Sequence, residues 1–250
     1  MTTRILLFTV LILLSARVIC QKTDLLLPSP MDREQIIHHK GYSMSYNSSY
    51  VQPSWVAYKV TKSQINKDEK VKTKFIKDPE IHTRSGSVKD YKEGGYIMAQ
   101  FVNYKDVKQI QGAVPETFYM SNITPMKQVF YNQIWLKTEE MIRLWSNETD
   151  GLYVVCGPIL AEAPFPTIGE NNISVPNRFY KVVYDLKNQK AVGFIFKNGT
   201  SSGKLKSFAM SVDEVEQRTG IDLFSGLEDV IEKMVEAKYD PAQWNWEVIE

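Results

Sequence analysis

The chain has 250 residues, 43% of them hydrophobic and 24% charged, which supports one large core or at most two small ones. Its 30 basic and 29 acidic residues leave a net charge of +1. That excludes a binder relying on an overall basic excess to neutralise phosphates, so any phosphate site would have to be local.

At the N-terminus, Arg4 precedes a nearly unbroken apolar run from Ile5 to Ala16. A run of about 12 residues suits a signal peptide over residues 1–20 better than a membrane span, which needs about 20. This predicts a secreted or periplasmic protein that begins at Gln21. A retained anchor and a lipid-modified Cys20 are the alternatives. Residues 21–40 read as an N-terminal arm, exposed from Lys22 to Arg33 and holding two prolines, and residues 41–250 as a single domain. "YSMSY" and "WVAYKV" alternate in polarity and predict two strands, joined by "NSSYVQPS". The lysine-rich stretch from Lys62 to Lys77 reads as an exposed connection. "SVKDYKEGG" is a turn-rich lead-in to "YIMAQFVN".

"PETFYMSNITPM" reads as a short strand running into a proline-stopped loop. "QVFYNQIWLKTEEMIRLW" has helical spacing, with Phe130, Ile134, Ile142 and Trp145 recurring about every 3 to 4 residues. "LYVVCGPIL" is a strand in which Cys156 is a small buried hydrophobe rather than a nucleophile. If Cys20 leaves with the leader, Cys156 is alone, and no disulfide framework exists. "FYKVVYDLKNQKAVGFIFKN" is a hairpin turning at "LKNQK". "MSVDEVEQRTGIDLF" is a helix, with Ser211 as N-cap, Glu214 three residues on and Gly220 closing it. "LEDVIEKMVEA" is a second short helix. Trp55, Trp145, Phe179, Tyr180 and Phe194 fit core faces. Sequons stand at Asn47, Asn122, Asn147, Asn172 and Asn198. Strands and helices interleave without βαβ spacing, so the fold class is α+β, a mainly antiparallel central sheet flanked by helices.

In this order, "SWVAYKVT", "DYKEGGY", "ETFYMSNITP", "YNQIW", "VVCGPIL", "VPNRFYKVVYD", "AVGFIF" and "SVDEVEQRTGIDLF" resemble the DNA/RNA non-specific endonuclease family. This is a group of secreted and organellar nucleases with a ββα-metal unit. The resemblance covers about Tyr42 to Glu236 and implies a phosphodiesterase. Family members carry a Tyr-Asp-Arg-Gly-His-Leu signature whose histidine is the general base. An asparagine at the start of the next helix binds the metal, and a glutamate about two turns on helps hold the metal's water. Histidine suits the task because its pKa lies near neutral pH. A hard cation and a guanidinium stabilise charge developing on phosphate.

Tyr96 falls on the family tyrosine, but then the positions diverge. Ile97 stands for aspartate, Met98 for arginine, Ala99 for glycine and Gln100 for the histidine base. Met126 replaces a glutamine that many members have. Glutamine takes no proton at neutral pH, and loss of the base alone costs about 10²–10⁴ in rate. Asn132 matches the metal ligand, Trp135 the helix tryptophan and Glu139 the glutamate, with Glu140 as the alternative register. "NQIW" is one residue short between asparagine and tryptophan. The only histidines, His38, His39 and His82, are the candidates for a substitute base. Arg84, Lys70, Lys72 and Lys74 lie where the family often carries a second phosphate-binding arginine. A solvated loop is the alternative for the lysines.

The resulting expectation is a nuclease-like protein, catalytically impaired and retained for binding, with Mg²⁺ held weakly or not at all. DNA or RNA, another protein, a polysaccharide or a homodimer are the partners left open. The alternative is an active metal-dependent endonuclease cutting both DNA and RNA, with Mg²⁺ on Asn132 and a displaced base. A structural or cell-surface role is the third option.

Overall fold

Nearly every side chain of the central strands is buried, whichever way it points, so the sheet must be covered on both faces. The computed structural model describes residues 26–62, 71, 74–92, 94–200 and 203–247. Strands β1 (Gln35–His38), β2 (Tyr42–Asn47) and β3 (Gln52–Val60) form a meander. A two-stranded ribbon follows, β4 (Ile97–Gln100) with β5 (Ile123–Met126). The chain then returns to the main sheet as β6 (Leu152–Pro158). A small ribbon, β7 (Thr167–Ile168) and β8 (Ile173–Ser174), precedes the hairpin of β9 (Arg178–Asp185) and β10 (Lys190–Lys197). The short strand β11 (Ala209–Met210) closes the edge. The main sheet runs β1-β2-β3-β6-β9-β10-β11, antiparallel throughout. At Gly157 in β6, a Cβ would lie 2.3 Å from the Ser54 carbonyl oxygen of β3, so only glycine allows the two strands to approach this closely.

One face, here the front, carries Met44, Val56, Tyr58, Val154, Phe179 and Phe194. The β4–β5 ribbon and two short helices, α1 (Tyr104–Val107) and α2 (Ala113–Glu116), cover it. A longer helical segment completes the cover. It comprises α3 (Gln128–Phe130), a π turn (Tyr131–Trp135) and α4 (Leu136–Trp145). Trp145 packs against Trp244 and Trp246 from the C-terminal segment. The back face, with Trp55, Val155, Tyr180 and Val182, is covered by α5 (Val212–Thr219) and α6 (Asp229–Glu236). Ser211 caps α5 in a capping box with Glu214, and Gly220, at φ 71°, ends it in the left-handed conformation.

The expected strands, the hairpin and the helices from Gln128, Ser211 and Glu228 onward form where the alternation and caps place them. Two expectations need correction. The arm is not an exposed appendage. Leu26, Leu27 and Met31 pack on the back core, and the Ser29 amide donates to the Asp222 carbonyl at 2.9 Å. Three apolar residues around the prolines outweigh the turn chemistry that suggested exposure. The "PETFYM" stretch is not a strand. Pro115 and Glu116 lie in α2, and the strand starts only at Ile123. Pro125 is tolerated within β5 because that strand pairs on one side only. Most of the lysine-rich connection lies outside the described residues, as does the proposed leader.

Candidate functional site

The β4 strand presents alternate side chains to opposite faces. Ile97 and Ala99 join the front core. Met98 faces the other way, into a smaller cluster with Met120, Ile123 and Ile168. Gln100 shares the face of Met98 and is 8% exposed. Its Nε2 donates to the Thr117 carbonyl at 2.8 Å and lies 3.3 Å from Thr117 Oγ1. Asn122 Nδ2 donates to the same carbonyl at 2.8 Å and to Val102 O at 3.0 Å. This buried asparagine is a structural clamp, and its sequon is closed to modification in the folded chain. The Trp135 indole donates to the Gln100 carbonyl at 3.3 Å, tying the strand to the helix.

The helix does not bring Asn132 to Gln100. Asn132 is exposed, and its side-chain Oδ1 accepts from Gln128 Nε2 at 3.1 Å. The π turn is the reason. An α-helix advances about 100° per residue, which would put Asn132 and Glu139 on one face. The wider turn over Tyr131–Trp135 advances less per residue and rotates Asn132 off that face. Tyr131 comes into line instead. It is half-buried against the front core, where burial first, and then the Glu139 carboxylate, raise its phenol pKa. The one sequence signal for Tyr131 was the shortened "NQIW", since counting back from Trp135 with the missing residue restored falls on Tyr131 rather than Asn132; the π turn itself leaves no mark in the hydrophobic spacing.

Glu139 is 2% exposed and belongs to a buried charge network. Asn103 Nδ2 donates to its Oε2 at 3.0 Å, and Arg143 Nη1 lies 4.0 Å from the same oxygen. Arg143 also donates to Asp106 at 2.8 Å. Lys181, fully buried on β9, places Nζ 3.9 Å from Glu139 Oε1 and 4.0 Å above the Trp135 ring. Neither Lys181 Nζ nor Glu139 Oε1 has a hydrogen-bond partner. Burial raises the Glu139 carboxyl to about 7, although Lys181 and Arg143 pull it down. Glu140, the alternative register, is exposed.

Cys156 sits beside this network. Burial pushes its thiol up to about 12, so it is a packing residue. In a Cys20→Ser background, the folded protein is expected to resist maleimide at pH 8 and to label fully in denaturant. Rapid labelling of the folded form would contradict this burial.

None of the remaining described sequence candidates hydrogen-bonds Gln100. Arg84 spends its guanidinium on the Ser48 and Ser49 carbonyls, at 3.1 and 2.7 Å, so it ties down the β2–β3 turn rather than facing a phosphate. Lys74 is exposed, and Lys70 and Lys72 lie outside the described residues. His39 Nε2 is 3.0 Å from the buried Asp78 carboxylate. His38 Nδ1 is 2.9 Å from Ser43 Oγ, and His82 is exposed.

A basic site missed in the sequence lies at the other end of the ribbon. A cleft of about 340 Å³ is lined by Tyr96, Lys127, Glu162, Arg178, Lys197 and Asn198. Arg178 and Lys197 are cross-strand partners in the β9–β10 ladder. Asn198 ties that ladder to β5, accepting from the Lys127 amide at 2.9 Å and donating to the Pro125 carbonyl at 3.2 Å. Arg178 pairs with Glu162, which leaves Lys127 and Lys197 as the less compensated cations.

The donors assigned by the resemblance do not form a Mg²⁺ cradle. Mg²⁺ takes carboxylates and waters in a near-octahedral shell. Asn132 faces solvent, and Glu139 faces buried Lys181 and partly buried Arg143. Gln100 offers an amide whose nitrogen is already engaged.

A model of the family described as DNA/RNA non-specific endonuclease matches residues 27–230. "Nuclease EXOG, mitochondrial" of Danio rerio is 25% identical over 208 residues, 76% of this chain and 61% of that protein. The chain thus spans less than two thirds of that relative. "Nuclease C1" of Cunninghamella echinulata var. echinulata is 26% identical over 221 residues, 80% of this chain and 86% of that one. The solved EndoG/EndoGI complex, described with a mechanism of EndoG inhibition, contains the same fold. It gives a TM-score of 0.70 at 24% identity, over 77% of this chain and 86% of that one. The expectation of a secreted or periplasmic protein is overturned. Relatives from zebrafish, human and fission yeast are named mitochondrial. An apolar run behind an arginine encodes hydrophobicity, not a destination. Among the described residues, no helix is long and apolar enough to cross a membrane.

Proposed function

The chain belongs to the DNA/RNA non-specific endonuclease family, whose members are metal-dependent nucleases, and from that premise we propose that it is a catalytically impaired member retained to bind nucleic acid. The observation that carries this reading is Gln100. It stands where the resemblance puts the family base, cannot take a proton at neutral pH, and has its amide committed to the Thr117 carbonyl. Met98 supplies no charge on the same face, and Asn132 is turned to solvent.

Binding is assigned to the Lys127–Arg178–Lys197 cleft. Cations spaced along a groove suit a phosphate backbone and carry no base preference. The cleft also explains how a chain without overall basic excess could hold a polyanion.

The test pairs cleavage with binding. The purified protein is incubated with plasmid DNA and with RNA, in Mg²⁺ or Mn²⁺, beside an Asn132→Ala control. Anisotropy of labelled single- and double-stranded oligonucleotides follows at two salt concentrations. No cleavage is expected, together with salt-sensitive binding. Lys127→Ala/Lys197→Ala should weaken binding and reduce the salt slope by about 2. Cleavage that disappears in Asn132→Ala would overturn the impaired reading. Unchanged binding in the double variant would remove the cleft from it.

A further inference from the structure

Five carboxylates converge on the back of the sheet, far along the chain from the ribbon. Asp213 and Glu216 are three residues apart on α5, so they share a face, and Glu232 and Glu236 are four apart on α6. Asp222 comes from the segment between the helices. Oxygens of Asp213, Glu216 and Glu236 lie within 4.8 Å of one another, and so do oxygens of Asp222, Glu232 and Glu236. Glu236 belongs to both groups.

Acidic surfaces are common, and their proximity alone would carry nothing. Glu236 is different. It is 7% exposed, and its Oε1 is buried without a hydrogen-bond partner. Among the described residues, none of the five carboxylates makes an ion pair. A buried carboxylate facing four others, with no cation beside it, is costly unless something neutralises it.

We propose that Glu236, with Glu216, Asp213, Asp222 and Glu232 around it, forms a Ca²⁺ site that clamps α5 to α6. The donor set is entirely oxygen, which selects hard cations over zinc or copper. Ca²⁺ accepts six to eight oxygens at about 2.3–2.6 Å in irregular arrangements, so oxygens on opposite sides stand about 4.6–5.2 Å apart. Mg²⁺ requires a smaller, near-octahedral shell, which carboxylates from three separate segments are poorly placed to give. Two existing contacts steady the donors. The Leu223 amide donates to Glu216 Oε1 at 2.6 Å, and Ser29 Oγ donates to Asp222 Oδ2 at 3.2 Å. The second contact also connects the site to the N-terminal arm.

The inference is independent of the reading of the cleft, and its test needs no activity. Thermal unfolding of the full chain is followed after EDTA treatment, with Ca²⁺ or Mg²⁺ titrated back. Ca²⁺ is expected to raise Tm by about 3–6 °C at ten times its dissociation constant. Half-saturation is expected around 0.1–1 mM, as in loosely preformed carboxylate sites. Glu236→Gln keeps the shape and relieves repulsion, so it should fold and lose the Ca²⁺ response. Glu139→Gln should retain the response. The proposal is overturned if Ca²⁺ produces no shift, if Glu236→Gln responds like the wild type, or if Mg²⁺ is as effective at equal concentration. Loss of the response in Glu139→Gln would also overturn it, by placing the cation at the front of the sheet.

Discussion

Lys181→Met is expected to destabilise the protein at pH 7.5 by about 3–5 kcal/mol, the usual cost of removing one partner from a buried ion pair. Met fills most of the lysine's volume, so the loss reports charge rather than a cavity. Glu139 would keep Arg143 at 4.0 Å from Oε2, but its buried Oε1 would lose Lys181, the cation 3.9 Å away. Glu139→Gln in the same chain should recover most of the loss, and a double-mutant cycle in urea measures the coupling.

The pH dependence sharpens the test. Burial raises the folded Glu139 carboxyl from its ordinary 4.5 to about 7. Between these values the folded chain holds the proton more tightly than the unfolded chain. Stability attributable to Glu139 therefore falls as pH rises from about 4.5 to about 7, and is flat above. Without Lys181 the folded pKa rises further, so the decline should extend beyond pH 7 in Lys181→Met. The cost of the substitution should shrink near pH 5, where Glu139 is protonated. Equal stability of Lys181→Met and wild type at pH 7.5 would mean that Lys181 does not hold Glu139 in its charged form.

Restoring Met98→Arg and Gln100→His together is expected to leave cleavage at background. These two share one face of β4, whereas Ile97 and Ala99 belong to the front core. A base without a metal donor in phase recovers little, because residues acting as one unit are strongly non-additive. Adding Tyr131→Asn supplies an amide on the face of Glu139, where the π turn places residue 131 rather than residue 132. The triple variant with Mg²⁺ or Mn²⁺ should gain at least about 10²-fold, the lower end for a working general base. A revival by the double variant alone would show that the donor at 131 is unnecessary. That result would locate what limits cleavage wholly in β4.

Much of the frame was legible because its signals are local. Alternation marked β2 and β3, the "LKNQK" turn marked the β9–β10 hairpin, and Ser211, Glu214 and Gly220 bounded α5 by side-chain chemistry that tertiary contacts did not override. The site was less legible for two physical reasons. Hydrophobic spacing fixes a helix's buried stripe but not a local change in pitch, so Asn132 and Tyr131 could not be phased before the π turn was seen. The cationic cleft joins residues 127, 178 and 197, which only strand register brings together. The arm was misread because its prolines spoke louder than Leu26, Leu27 and Met31, whose partners lie some 200 residues away.

Strands β3 and β6 are neighbours in the ladder, with Val60 opposite Leu152, yet the whole β4–β5 ribbon and α4 come between them in the chain. The ribbon contributes no rung to the main sheet. The scaffold therefore treats that stretch as an excursion between two adjacent rungs, and side chains on it can change without altering the pairing of β3 with β6. A chain with this topology can vary at residues 98 and 100 and still keep an intact, groove-bearing body on which selection for a different task can act.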